Sequence, residues 1–247
     1  MHHLDDPDGG AERPTIVLVH GAFADASSWR HVIRLLQDDG HPVIAVQNHL
    51  ASLADDVATT KRAIAGVHGP VVAVGHSYGG AVITGAAAGE PNVRALVYVA
   101  AFAPDAGEAV GAMGARLTPR LAPPALSTAL VPDAAGFLFI DRARFHDVFC
   151  ADVPAADASV MAATQKPIAA AAFDEPMGAP AWRTIPSWYL VSGSDRAINP
   201  ELERVMAQRI GATTTEIDAS HVPFLSHPAE VVRVIVAAAA STIMAMP

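Results

Sequence analysis

The stretch that most constrains this chain is Val71-Val72-Ala73-Val74-Gly75-His76-Ser77-Tyr78-Gly79-Gly80. An apolar, mostly β-branched run leads into G-x-S-x-G, and Ala81-Val82-Ile83-Thr84-Gly85-Ala86-Ala87-Ala88 follows as a small-residue helix. A buried strand that turns straight into such a helix makes a nucleophile elbow, a sharp bend that holds a serine hydroxyl clear of the backbone. The glycines are needed because the bend is strained and the helix packs too close to the strand to leave room for Cβ atoms. The pattern therefore predicts that Ser77 is a nucleophile rather than the serine of an ordinary Gly-rich turn.

Around the elbow, strand and helix patterns alternate. Continuous apolar or β-branched runs predict strands over 15–20, 43–46, 71–74, 93–101, 187–191 and 213–217. Helices are predicted over 27–38, 53–65, 200–210 and 228–240. The first takes Ser27 or Ser28 as its N-cap and stops at Gly40. In 53–65 the acidic residues come early and the basic ones late, which matches the helix dipole. Buried strands alternating with helices imply an α/β three-layer sandwich, with a mostly parallel six-stranded sheet covered on both faces. Residues 103–184 break this rhythm. They are rich in Ala and Pro and offer short helical candidates but no clear strand, so they read as a helical cap inserted after the fourth strand, over the catalytic edge. The expected division is thus a core of 15–102 and 185–247, a cap or lid of 103–184, and a flexible polar lead-in of 1–14.

A chain of 247 residues suits one large domain or one domain with an insertion, and 51% hydrophobic residues are ample for its core. The net charge of −9 and the lack of any Lys/Arg cluster argue against a nucleic-acid partner. The single cysteine, Cys150, cannot form an internal disulfide and fits a reducing compartment as a buried structural thiol. The lead-in lacks the basic start and apolar run of a signal peptide. The apolar run 231–243 is broken by Arg233 and too short to span a membrane, so it is expected to dock as a terminal helix. These features predict a cytoplasmic protein, monomeric or homodimeric, with no membrane partner.

Four landmarks together resemble the α/β-hydrolase fold. They are His20-Gly21-Ala22-Phe23 after the first strand, Gly75-His76-Ser77-Tyr78-Gly79 at the elbow, Gly193-Ser194-Asp195 after the fifth strand and Ser220-His221 after the last. The resemblance covers nearly all of 15–241. His20-Gly21-Ala22 through Trp29 is similar to the plant methylesterase and hydroxynitrile lyase branch. Asp195-Arg196-Ala197-Ile198 and Asp218-Ala219-Ser220-His221 look closer still to bacterial esterase-like relatives of that branch. The family normally carries two more N-terminal strands, so the shortened sheet is expected here.

A serine hydroxyl is a poor nucleophile at neutral pH and needs a base, which in turn needs an orienting acid. The chain order Ser77, Asp195, His221 is the nucleophile, acid, base order of this fold. Asp195 and His221 both follow predicted strands, and ligands of open α/β sheets bind outside those strand ends. His20, His76 and His227 are rivals to His221 with packing or helix-starting roles. Asp105, after the fourth strand, is the alternative acid, since some members of the fold take it from there, and Glu108 is a weaker candidate on the same loop. An oxyanion hole needs preplaced amides. Tyr78 supplies one, and the resemblance places the other at Ala22, with Phe23 lining the pocket or donating instead. Phe23, Phe102, Met113, Trp182, Phe224 and Leu225 are the candidates for an apolar pocket wall.

The implied activity is hydrolysis of a small or medium carboxylic ester or lactone, with a small-molecule ester as partner. Hydroxynitrile lyase relatives carry a lysine directly after the catalytic histidine, and here that position is Val222. Cofactor-free oxygenases and perhydrolases share the fold, and a non-catalytic small-molecule receptor is the reading outside enzymology. The chain has no H-E-x-x-H, paired cysteines, H-x-H or phosphate loop, so no metal and no cofactor are expected.

Overall fold

The computed structural model describes residues 13–244. Most of the expected lead-in, residues 1–12, lies outside the described residues, as do His2 and His3. In chain order the elements are β1 (Thr15–Val19), α1 (Arg30–Asp38), β2 (Val43–Val46), α2 (Leu53–Ala65), β3 (Val71–His76), α3 (Tyr78–Ala86), β4 (Val93–Val99), α4 (Val110–Leu117), β5 (Leu130–Pro132), β6 (Phe137–Ile140), α5 (Phe145–Phe149), α6 (Ala155–Thr164), β7 (Ile168–Ala169), β8 (Ser187–Ser192), α7 (Pro200–Arg209), β9 (Thr213–Ile217), α8 (Pro223–Ser226) and α9 (Pro228–Met244). Short 3-10 turns join several of them.

Six strands form the main sheet in the order β2-β1-β3-β4-β8-β9, and every pairing in it is parallel. The inner strands β1, β3 and β4 are almost wholly buried and, apart from Thr15, His76 and the exposed Arg94 near the start of β4, apolar, as strands covered on both faces must be. The outermost strand, β9, is largely exposed and is built from Thr213-Thr214-Thr215-Glu216-Ile217, polar enough to sit at an edge. Helices α1 and α9 pack together, α9 also against β3, β4 and β8, while α2 and α3 pack as a second pair. This is the three-layer α/β architecture expected from the alternation.

Local chemistry differs from expectation at two helix starts. The first helical stretch begins as a 3-10 turn, Ala26–Trp29, capped by Asp25, whose Oδ1 accepts the Ser27 amide at 2.7 Å. Ser27 and Ser28 are therefore not the cap. In α2 the cap is Ser52, whose Oγ accepts the Asp55 amide at 3.1 Å. Of its early acids, Asp56 does more than answer the dipole: it is fully buried and accepts the Leu50 amide and the Tyr78 hydroxyl, both at 3.1 Å.

The segment between β4 and β8 contains α4, α5 and α6, but also a second sheet, antiparallel, in the order β5-β6-β7. No strand was expected there. Its β5–β6 hairpin turns on Asp133, whose Oδ1 accepts the amides of Ala135 and Phe137 at 2.8 and 2.9 Å, and on Gly136 at φ +83°.

One of the tight approaches in the core is between α3 and β1. A Cβ on Gly79 would lie 2.5 Å from Val19 O and 2.8 Å from His20 O. Backbone cannot yield as a flexible side chain can, so Gly79→Ala should cost about 2 kcal/mol or more. Thermal denaturation should then show a fall of about 5 °C or more in Tm. An unchanged Tm would mean that α3 slides freely on the sheet.

Candidate active site

Ser77 sits between the end of β3 and the start of α3. Its backbone is left-handed in φ (+53°, ψ −123°), a region costly for any residue but glycine, and the surrounding bonds hold it there. Its amide donates to Val99 O and Ala100 O at 3.3 and 3.1 Å, and its carbonyl accepts from Gly80 and Phe102, each at 3.0 Å. The side chain makes no capping bond and opens on a cavity of about 470 Å³.

His221 opens on the same cavity, carried by the loop after β9. Its Nδ1 lies 2.5 Å from Asp195 Oδ2, and both side chains are buried. Asp195 follows β8, and its Oδ1 accepts the amides of Ala197 and Ile198 at 2.6 and 2.9 Å. With one oxygen held by two amides, the other is aimed at the imidazole. Nδ1 thus carries the hydrogen, and Nε2 is left to face the cavity as an acceptor. Among the described residues neither Ser77 Oγ nor His221 Nε2 has a hydrogen-bond partner, so both stand free toward a ligand.

Asp105 does not reach this pair. It is turned to Arg183 Nη2 at 2.5 Å and takes the Ala106 amide at 2.7 Å. Glu108 is bonded to Arg209 Nη1 at 2.8 Å and accepts the Asp105 amide at 2.7 Å. Asp218 faces Ser194 Oγ at 2.5 Å.

Buried polar contacts fix the loops. His76 donates from Nε2 to the carbonyl of His221 at 2.8 Å, its ring 4.6 Å from the His221 ring. Burial, and then the nearby His221, hold His76 well below the usual histidine range, so it works as a neutral donor. Asp152, from the segment after β4, accepts the Ser220 amide at 2.9 Å and also the Ser220 hydroxyl. His20 accepts the Asn48 amide on Nε2 at 3.0 Å and bonds Gly21 O through Nδ1 at 2.9 Å. Burial pulls it down to about 4, so it too is neutral.

The turn that His20 anchors lies hard against the elbow. A Cβ on Gly21 would come within 2.7 Å of Ser77 Cβ, so glycine lets Ala22 and Phe23 approach the serine. Both line the cavity, Phe23 with φ +61°. Tyr78 is buried with its hydroxyl on Asp56, and its amide opens α3, where helix amides have no partner within the helix.

Of the expected pocket residues, Phe23 and Phe102 line the cavity and four do not. Phe224 packs behind His76, 4.7 Å between rings, and against Trp29 at 4.6 Å. Met113 is buried on the covered side of α4, and Trp182 donates from Nε1 to Pro104 O at 2.9 Å. Leu225 is also absent from the wall. The other aromatic walls are Phe149, 5.1 Å from the His221 ring, and Phe173. Leu126, Leu130 and Leu202 extend the apolar surface. None of these followed from local pattern, since each is one apolar residue among many. Among the described residues no Asp, Glu, Lys or Arg lines the cavity, and its polar groups besides Ser77 and His221 are Thr118, Ser127 and Asn199. Among the described residues no group of three His, Cys, Asp or Glu could hold a metal ion, and no helix is long and apolar enough to cross a membrane.

Comparison with known proteins shows the family and the fold. A carbendazim hydrolyzing esterase of Nocardioides sp. (strain SG-4G) is 35% identical over 128 residues, 47% of this chain and 51% of that one. A probable hydrolase of Phoma sp. (strain ATCC 20986 / MF5453), R7, is 26% identical over 87% of this chain and 94% of its own. Among solved structures, a pyrethroid hydrolase from Sphingobium faniae JZ-2 superposes with a TM-score of 0.82 at 22% identity, covering 92% of this chain and 98% of that one. Polyneuridine aldehyde esterase superposes with a TM-score of 0.78 at 18% identity, covering 92% and 99%. The model of the alpha/beta hydrolase family matches residues 16–234. The chain belongs to the alpha/beta hydrolase family.

Proposed function

We propose that the protein is a serine hydrolase that cleaves a neutral, apolar carboxylic ester or lactone through an acyl-enzyme. The observation that carries this reading is a strained Ser77 opening on the same cavity as a His221 whose other nitrogen is held by Asp195. Ser77 Oγ attacks the carbonyl and passes its proton to His221 Nε2. Asp195 holds the imidazole in the required tautomer and stabilises the imidazolium that forms. The amides of Tyr78 and Ala22 take the developing oxyanion, helped by the positive end of α3. His221 returns the proton to the leaving alcohol, then activates the water that frees the acid. Relatives described as esterases support the same chemistry.

Residues 103–184 act in this scheme as the cap that sets specificity, because α4 and the loop after it form one wall of the cavity. A cavity of about 470 Å³ suits a drug-sized ligand. Its wall carries no ionised side chain of Asp, Glu, Lys or Arg, so a charged acyl group would enter without a partner. Such burial costs several kcal/mol, so a p-nitrophenyl ester with an ω-carboxylate should show about a hundredfold lower kcat/KM than the neutral ester of equal length. Steady-state kinetics on the two esters, with fluorophosphonate labelling of Ser77, test the proposal. Absence of both hydrolysis and labelling in folded protein would overturn it in favour of a binding module.

A further inference from the structure

One buried carboxyl behind the site has no part in this scheme. Glu203 lies in the first turn of α7 and is fully buried. Its Oε2 accepts the amide of Ser192, the last residue of β8, at 3.1 Å. Its Oε1 has no partner that donates to it. Ser192 ties it to the acid: the same residue that donates to Glu203 accepts the amide of Asp195 on its carbonyl at 3.1 Å, which sets the Asp195 carboxyl beside that of Glu203.

Two ionised carboxylates in contact and out of water repel strongly, so one of the two must keep a proton. Asp195 is surrounded by donors: two amides on Oδ1 and the imidazole on Oδ2. Glu203 has a single amide and one oxygen that nothing satisfies, which is what a carboxylic O–H would leave. The proton therefore belongs to Glu203. Burial first, and then the Asp195 charge, push Glu203 well above the usual carboxylate range. The other titratable groups around it do not offset this. Tyr189 on β8 donates to Ala101 O, Arg204 on the same helix is spent on Glu201 and Glu216, and His221 is reached only through Asp195.

We propose that Glu203 is a positioning residue of this site: as a neutral acid it donates its O–H to Asp195, aiming that carboxylate at His221 Nδ1 and drawing off part of its charge. The inference rests on Ser77, His221 and Asp195 acting as the proposed hydrolytic set. Without the donor, Asp195 keeps its two amides but loses one of the bonds that aim it, and carries its full charge. Its fuller charge stabilises the imidazolium, so His221 keeps its proton to higher pH.

Two variants separate this role from mere packing. Glu203→Gln keeps a neutral N–H donor in place and should retain kcat within about twofold, with the acidic limb of the pH–rate profile unmoved. Glu203→Leu should lower kcat roughly tenfold to a hundredfold with little change in KM, and shift the acidic limb to higher pH. Equal activity and an unmoved limb in a folded Glu203→Leu protein would overturn the proposal.

Stability supplies a readout that needs no activity. The folded chain keeps the Glu203 proton, whereas the unfolded chain releases it near the ordinary value of 4.5. Above that value the native state binds more protons, so wild-type stability falls as pH rises, and Gln escapes the penalty. The Tm advantage of Glu203→Gln over wild type should therefore widen between about pH 5 and pH 8. A gap that stays flat or narrows means that Glu203 is ionised in the fold and overturns the proposal. Failure of the ester reading would appear separately, as wild-type protein that neither hydrolyses esters nor takes the fluorophosphonate label.

Discussion

Ser77→Ala should lower kcat for a neutral p-nitrophenyl ester by about 10⁵-fold or more, on the scale that removing the nucleophile of a serine hydrolase costs. Fluorophosphonate labelling should vanish with it. The substitution is unusually clean. Ser77 Oγ caps no helix and has no hydrogen-bond partner among the described residues, so its loss leaves no buried group unsatisfied. Alanine meets the same left-handed strain at φ +53° that serine already bears. The Tm should therefore stay within about 2 °C of wild type, so that lost activity cannot be assigned to unfolding. Full turnover by a folded Ser77→Ala protein would sink the serine mechanism, whatever the fold.

Asp195→Asn should lower kcat by about 10⁴-fold, because an amide in place of the carboxylate favours the wrong imidazole tautomer. Both Asp195 oxygens face donors, two amides on Oδ1 and His221 Nδ1 on Oδ2. An Asn Nδ2 must therefore oppose either a backbone amide or the imidazole N–H. Asp105→Asn, made in parallel, should keep kcat within about twofold, since it alters a surface ion pair with Arg183 and a local bond to the Ala106 amide, neither of which touches His221. The reverse pattern, a dead Asp105→Asn and a live Asp195→Asn, would move the acid to the loop after β4.

The main sheet could be read from the sequence because its inner strands are buried on both faces and so appear as unbroken apolar runs, Ile16–Val19 and Val71–Val74 among them. The elbow was legible for a related reason: close packing of α3 on β1 forces glycines at fixed intervals. Asp195 and His221 could be placed because strand ends converge on one edge. The antiparallel sheet between β4 and β8 was not legible, since strands as short as Ile168–Ala169 are too brief for any period to emerge. The cavity wall was hidden as well. Phe149 and Phe224 are both buried aromatics, and only tertiary packing sends one to the cavity and the other behind His76. Asp56, Asp152 and Glu203 lie in runs that look like ordinary helix or loop acids. Their importance comes from partners 22, 68 and 11 positions away, at Tyr78, Ser220 and Ser192.

The grip of Asp152 on Ser220 bears on how such a molecule diversifies. The segment that forms one wall of the cavity also holds Ser220, the residue next to His221, so it is not a free module. A graft from another member of the family that altered the wall but omitted this carboxylate would change the choice of substrate and loosen the proton shuttle in the same step. On the proposed mechanism one carboxylate couples specificity to turnover, so point changes within the wall should disturb turnover less than replacement of the whole segment.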